Sequence, residues 1–248
     1  MSEVKEKFRN LIGEQNLHIF DGPFVIENFL KNVEDYLNWN TLNEAINSDF
    51  VEWELISKDT SEYINIPQFV PYWSGRQQNK QYILDHVNNG TTFIISRCCI
   101  LNDNLKSLVS DIQKTFPVAC DIHIYGSKGN SKSFIPHSDR PNNFIIQAIG
   151  DTDWIVFKNR VSNILLWDNY ANYEPKRGEL TPALEVTLSP GDLLYIPPRT
   201  YHAALPSMPR LSMSIPSIPL DYKDLLQIHP NLDQIVNQLA PDVNKYEI

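Results

Sequence analysis

The chain has 248 residues, 42% hydrophobic and 21% charged, with a formal net charge of −9. Such a chain is long enough to bury a sizeable core, and its composition is that of a globular protein. No Lys/Arg run provides the clustered basic face that a broad nucleic-acid surface requires, so no nucleic-acid partner is expected. No apolar run approaches the ~20 residues of a bilayer span, and the N-terminal Met-Ser-Glu-Val-Lys-Glu-Lys-Phe has no signal core, so no membrane is expected either. Cys98, Cys99 and Cys120 show no repeated spacing and sit in apolar stretches. They read as buried free thiols of a reducing, cytoplasmic compartment. Acidity fits a basic protein partner or simple solubility, and the oligomeric state stays open.

In chain order, Thr41 three residues before Glu44 predicts a capped helix start. Phe50 to Ile56 alternates apolar and polar residues and predicts a strand. Lys80 to Val87 predicts a helix stopped by Asn88-Asn89-Gly90, and Thr91 to Ser96 a strand rich in β-branched residues. Asp103 is the expected cap of a further helix, along which Leu105, Leu108, Ile112 and Phe116 recur at helical spacing. After Pro117 the texture changes. Apolar runs near 119–125, 144–149, 154–157, 163–167, 184–188, 193–196 and 211–215 alternate with Gly-, Pro- and Asn-rich turns. Regular short strands of this kind predict an all-β sandwich or barrel. Tyr222 to Leu239 has a helical pattern broken by Pro230. The expectation is one domain over 1–248: a mixed α/β region (1–115), a mainly β barrel core (116–218) and a short helical tail (219–248).

The residues richest in chemistry are His137 and Asp139, two apart, and His202, which follows Pro190-Gly-Asp-Leu-Leu-Tyr-Ile-Pro-Pro-Arg-Thr-Tyr. On a strand, residues i and i+2 share a face, so His137 and Asp139 can hold one ion together. His202, read as lying just past a strand end at the barrel mouth, is placed to reach inward as the third ligand. Two imidazoles and one carboxylate suit non-haem Fe(II), leave one face of the metal open, and mark the three as catalytic metal ligands. His-x-Asp by itself also occurs by chance in surface loops. The long downstream run raises it above that reading.

At this point the residues match a family. The segment from Tyr125 through His137, Asp139, Asn143, Phe144, Gln147 and Gly150 to Trp154 resembles the core of the JmjC/cupin-like 2-oxoglutarate oxygenases. Among these the pattern is most similar to the ribosomal-protein hydroxylases and the asparaginyl hydroxylase factor inhibiting HIF. The run Pro190 to His202 resembles the second ligand segment, and Asn89 to Ser96 the strand leading into the barrel. The resemblance implies a double-stranded β-helix (jelly-roll) that binds Fe(II) and 2-oxoglutarate as a dioxygenase, with Tyr125 and Asn143 contacting the cosubstrate. Core-tyrosine and turn-residue roles compete with these two assignments.

One departure stands out. Relatives carry a Lys or Arg two residues after the Gly, paired with the distal carboxylate of the cosubstrate, and here that cosubstrate position is Thr152. A buried dianion without a cation is costly. Lys158 is six residues on, roughly 20 Å along a strand, too far to substitute. Arg210 and Ser212 form the Arg-x-Ser pair that many other 2-oxoglutarate oxygenases use on the last barrel strand. They share a strand face, and a guanidinium could pair bidentately with the carboxylate. The competing reading of Arg210 is a surface residue at a hairpin.

The implied outcome is hydroxylation of an unactivated C–H, and the presence of Asp139 argues against halogenation. A protein or peptide side chain is the expected substrate. The chain ends too soon after His202 for the dimerisation region and winged-helix domain found in relatives, which keeps a biosynthetic small-molecule hydroxylase in view. A non-catalytic cupin-like metal- or ligand-binding module is the third reading. Trp73, Trp154, Trp167, Tyr170, Tyr173 and Tyr201 are candidates for a substrate entrance, although aromatics at such density more often fill cores. The polar insert from Asp168 to Gly178 is a candidate lid.

Overall fold

A computed structural model describes residues 22–57, 60–69, 77–115, 118–129, 134–139, 141–160, 179–206 and 209–219. The expected run at 163–167, the candidate lid, the helical tail, Trp73, Trp167, Tyr170 and Tyr173 all lie outside these residues.

In chain order the described elements begin with β1 (Phe24–Ile26), α1 (Thr41–Asn47), β2 (Glu52–Ile56), β3 (Tyr63–Ile64), β4 (Gln68–Phe69), β5 (Gln77–Gln78) and α2 (Lys80–Asn88). They continue with β6 (Thr92–Ser96), α3 (Asp103–Thr115), β7 (Val118–Cys120), β8 (His123–Ser127), β9 (His137–Ser138) and β10 (Asn142–Ile149). The last are β11 (Thr152–Arg160), β12 (Pro182–Leu188), β13 (Leu193–Ile196), β14 (Thr200–Pro206) and β15 (Arg210–Pro219). Two antiparallel sheets face each other. The larger has nine strands in the order β1-β13-β10-β15-β8-β6-β2-β3, with β7 also on β15. The smaller runs β12-β11-β14-β9. This is the expected double-sheet jelly-roll architecture. The large sheet crosses the expected boundary at 115/116, since β1, β2, β3 and β6 extend the barrel strands as one surface.

Alternation along the strands explains the layering. On β15, Leu211, Met213 and Ile215 point outward into a core shared with Leu105, Leu108 and Ile112 of α3. Arg210, Ser212 and Ser214 have the opposite parity and face the smaller sheet. Ile145, Leu194 and Ile196 of the large sheet meet Trp154, Val156 and Leu188 of the small one in a second apolar cluster between the sheets. The large sheet is therefore covered on both faces, by helices outside and by the second sheet inside. Among the described residues no helix is long and apolar enough to cross a membrane.

Three local expectations are corrected. The first helix begins at Thr41, but Thr41 is not its cap: the Asn38 carboxamide accepts from the N–H groups of Asn40 and Thr41 at 2.8 and 3.3 Å. In α3, Asn102 rather than Asp103 caps, accepting from Leu105 N–H at 2.9 Å. An amide oxygen competes well with a carboxylate for this role, so spacing alone does not separate adjacent Asn and Asp. Of the three free thiols only Cys98 is buried, while Cys99 and Cys120 are half-buried.

The Pro190-Gly191-Asp192 turn ties the N-terminal segment to the barrel. Asp192 accepts from Asn28 N–H and Ser189 N–H, both at 2.9 Å, and Gly191 O accepts from Leu30 N–H at 3.0 Å. Gly191 has φ 96°, and a Cβ placed there would lie 2.7 Å from Leu30 O. Gly191→Ala is expected to lower stability by about 2 kcal/mol, through left-handed strain plus this backbone clash, read from the urea unfolding midpoint.

Candidate metal centre

The small sheet brings the ligand candidates together. His137 on β9 is the direct cross-strand partner of His202 on β14, and His202 in turn faces Val156 on β11. Antiparallel partners have Cβ atoms ~5 Å apart, so the pairing by itself puts two imidazoles within reach of one ion. Their ring centroids lie 4.5 Å apart. His202 is not past a strand end, as expected, but inside β14. After Pro197-Pro198 the chain turns through Arg199 in the left-handed region (φ 57°) and re-enters the sheet at once. The two prolines end one strand without ending the sheet.

Asp139 leaves β9 and is clamped from two sides. Its backbone carbonyl accepts from Arg199 N–H at 2.6 Å, and its Oδ2 accepts from Asn143 Nδ2 at 2.7 Å. The carboxylate stands 3.9 Å from His137 Nε2 and 3.6 Å from His202 Nε2. One ligand atom from each of the three lies within 4.8 Å of the others.

The tautomers are decided by the backbone. His137 Nδ1 is 3.0 Å from Ile135 O, and His202 Nδ1 is 2.9 Å from Thr200 O. A carbonyl can only accept, so Nδ1 of each ring carries the proton. Both Nε2 lone pairs are then free to coordinate, which is the orientation that outer partners impose at metal sites. Burial pulls the His202 imidazole below its ordinary ionisation range, opposed by Asp139 and reinforced by His137. A neutral ring is the ligating form.

Around this cluster lies a cavity whose walls include Tyr125, Phe134, Ile145, Trp154, Ala204, Arg210, Ser212 and Ser214. Tyr125 on β8 pairs with Ser212 on β15, which pairs with Gln147 on β10. The Tyr125 phenol is pushed above its ordinary range, first by burial and then by Asp139, so it keeps its proton. Gln147, fully buried, donates both amide hydrogens, to Ile149 O and Gly150 O at 2.9 Å each. Its Oε1 accepts from Ser212 Oγ at 2.8 Å.

The predicted cosubstrate residues therefore separate. Tyr125, Arg210 and Ser212 line the cavity. Asn143 sits behind Asp139 and orients it instead of reaching the lining. Thr152 is buried on the inner face of β11, with an unpartnered Oγ1, and is also outside the lining. Of the candidate entrance aromatics among the described residues, Trp154 lines the cavity, whereas Tyr201 packs with Phe157 and Ala203. Sequence reasoning missed Phe134, whose ring is 5.1 Å from that of His137, and the orienting role of Asn143. The first had no sequence signal. The second shows only as an Asn four residues after Asp139.

A family model described as "JmjC domain" matches residues 100–225, just over half of the chain, and spans every ligand candidate. The chain belongs to the JmjC domain family. This JmjC chain is 24% identical over 234 residues to a protein of Dictyostelium discoideum named bifunctional lysine-specific demethylase and histidyl-hydroxylase NO66, covering 82% of the chain and 45% of that protein. It is 28% identical over 138 residues to ribosomal oxygenase 1 of Gallus gallus, covering 54% of the chain and 23% of that protein. Among solved structures, the ribosomal oxygenase YcfD of Escherichia coli with cobalt and 2-oxoglutarate aligns with a TM-score of 0.62 at 18% identity. That alignment covers 97% of this chain and 58% of YcfD, and it shows a shared fold. The matched region is thus less than two thirds of each of these proteins, from 23% to 58% of their length.

Asn143 is the group that fixes Asp139 for coordination. Asn143→Ala is expected to weaken Co(II) or Mn(II) binding by about 10- to 100-fold, measured by competition with a metal-sensitive fluorophore, while the fold is retained. Unchanged metal affinity would remove Asn143 from the orienting role.

Proposed function

We propose that this JmjC chain is an Fe(II)- and 2-oxoglutarate-dependent oxygenase that hydroxylates an unactivated C–H on a protein or peptide side chain. The observation that carries this reading is the cluster of His137, Asp139 and His202, with both Nε2 atoms free and one carboxylate beside them. Two imidazoles and a carboxylate suit Fe(II), and no thiolate approaches the cluster among the described residues. All three ligand candidates line the same cavity. That a protein of the same fold has been solved with cobalt and 2-oxoglutarate supports the same pair here.

Iron, 2-oxoglutarate and O2 together supply the oxidation: one oxygen atom enters the C–H and the other leaves in succinate, with loss of CO2. The protein's contribution is positional. Asn143 and Arg199 hold Asp139, and the carbonyls of Ile135 and Thr200 hold the imidazoles. Trp154 and Phe134 flank the imidazoles, with ring centroids 6.1 Å from His202 and 5.1 Å from His137.

A polypeptide substrate is supported by the rim. Ile135 is 71% exposed and Tyr63 63% exposed, and the Phe134 ring bridges from Tyr63 (5.9 Å) to His137 (5.1 Å). An exposed apolar path running directly to the site fits a side chain delivered on a larger partner. The relatives' names, histidyl-hydroxylase and ribosomal oxygenase, point the same way. Three free cysteines support a reducing, cytoplasmic setting.

The test is turnover. With Fe(II) and O2, the chain should convert 2-oxoglutarate to succinate, and proteins in an incubated lysate should gain one oxygen atom by mass spectrometry. His137→Ala should abolish both signals. Oxygen gain confined to small molecules would favour the biosynthetic alternative. Failure to consume 2-oxoglutarate together with failure to bind it would sink the oxygenase reading.

A further inference from the structure

The inner face of the large sheet does not end at the cavity. On β2, Trp53 and Leu55 belong to the helix-covered core, so Glu52 and Glu54 have the opposite parity and share the face of Tyr125. Glu54 pairs with Ile94 on β6, and Ile94 pairs with Tyr125 on β8. One cross-strand row therefore leads from the cavity wall out to this carboxylate. Two strand spacings of ~4.8 Å put Glu54 about 10 Å from Tyr125. The smaller sheet ends at β9 and leaves β2 uncovered on this face, where Glu52 and Glu54 are both exposed.

Tyr63 stands over the same stretch. It pairs with Ile56, two residues beyond Glu54, and its ring meets Phe134, which in turn meets His137. Its phenol is pushed above the ordinary range, by burial first and then by Glu54 and Asp139, so both carboxylates act on it. The charges here do not cancel. Glu52 is paired with Arg97, but Glu54 makes no hydrogen bond or ion pair among the described residues. Partial burial, and then Glu52, push the Glu54 carboxyl above its ordinary range. Arg210, the one Lys or Arg of the described cavity lining, is three strands away on β15, with an Nη1 that has no hydrogen-bond partner. His123, on the same face of β8, is pulled below its ordinary range by burial and adds no cation at neutral pH. An unpaired carboxylate beside an exposed aromatic ring has the chemistry of a cation site: the ring face attracts the cation and the carboxylate pairs with it.

We infer that Glu54 and Tyr63 form a subsite for a lysine or arginine side chain of the substrate polypeptide, about three residues along the chain from the residue that is oxidised. The inference rests on the polypeptide-oxygenase reading above and names a feature of the sequence on which the protein acts. The sign of the occupant follows from charge. The chain carries −9 overall, and Glu54 and Asp139 repel a phosphate or an acidic segment at this mouth. The spacing follows from reach. An extended chain advances about 3.3 Å per residue, so the stretch from the Tyr125 wall to Glu54 takes about three residues. The exposed apolar groups Tyr63 and Ile135 accompany the backbone between them. Glu54 is not among the cavity's lining residues, so the cation it holds is a neighbour of the oxidised residue and not that residue itself. An exposed ion pair contributes little alone, and the ring beside it adds to it, so the outcome is a preference and not an absolute requirement.

The test uses the full chain with Fe(II), 2-oxoglutarate and O2, and a synthetic library of randomised peptides as the probe. Oxidised peptides are sequenced by tandem mass spectrometry, and the residues flanking each oxidised position are compared with the unreacted library. In the wild type, Lys and Arg are expected to be enriched about fivefold at about three residues from the oxidised position. Glu54→Gln should bring that enrichment below about twofold, and Glu54→Lys should replace it with enrichment of Asp and Glu. A merely structural glutamate would lower the yield and leave the flanking pattern as it was. If Glu54→Gln fails to fold, the wild type at high salt decides: screening should erase the enrichment, and a salt-insensitive enrichment overturns the subsite. Oxidised peptides without cation enrichment, or an enrichment that Glu54→Gln keeps, overturn the subsite alone. No oxidised peptide at all overturns the polypeptide substrate and the subsite with it. A chain that neither consumes nor binds 2-oxoglutarate overturns the oxygenase reading as well.

Discussion

The pairing of a two-residue strand with its neighbour is the constraint from which the rest of the site follows. β9 is only His137 and Ser138, yet its register on β14 places His137 directly opposite His202. So short a strand gains little from its own ladder. It is held instead by what surrounds it: the Arg199 N–H on the Asp139 carbonyl, the Asn143 amide on the Asp139 carboxylate, and the Phe134 ring against His137. A slip of one residue would turn His137 to the opposite face and dissolve the cluster. The ligands need no strained geometry, because each imidazole is oriented by a carbonyl two residues before it in its own chain.

The large sheet makes that precision available. Its outer face is welded to α3 and the N-terminal elements through one continuous apolar core, so β10, β15 and β8 form a stiff floor. The inner face near the ligands can then be polar without loosening the fold. Asn143, Gln147, Ser212, Ser214 and Arg210 are all buried there. Gln147 shows how such a face is kept ordered: its amide ties the turn at Gly150 to β15, and every one of its hydrogens and its oxygen has an assigned partner. Fully satisfied networks rigidify, while unsatisfied atoms mark places where the protein awaits something. Gln147 and Arg210, two strands' width of the same surface, illustrate the two cases.

Much of this was legible from residue order. The Arg-Leu-Ser-Met-Ser-Ile alternation of β15 announces a strand with one polar and one apolar face, and the structure puts those faces where the period requires. The spacing of His137 and Asp139 and the long run to His202 point to one ion from residue order alone. Where the expectations failed, a tertiary contact had overridden a local rule. Pro197-Pro198 looked like the end of a strand and the barrel mouth, but the left-handed turn at Arg199 returns the chain to the sheet. Asn143, expected at the cosubstrate, donates to Asp139, a contact that its place in the sequence did not announce. The helix caps shifted to Asn38 and Asn102 because competing side-chain oxygens stood one to three residues earlier.

By itself, then, the amino-acid order determined which residues are chemically capable of binding an ion and which strand faces are apolar. These are properties of residue type and of period two along a strand, and they need no folded chain to be read. Only the tertiary structure decided that His202 meets His137 across a ladder, that Ser212 spends its proton on Gln147, and that Arg210 is buried in the cavity rather than exposed at a hairpin. Each of these depends on the register between strands far apart in sequence. Register is settled by long-range packing and hydrogen bonding, which no local pattern encodes.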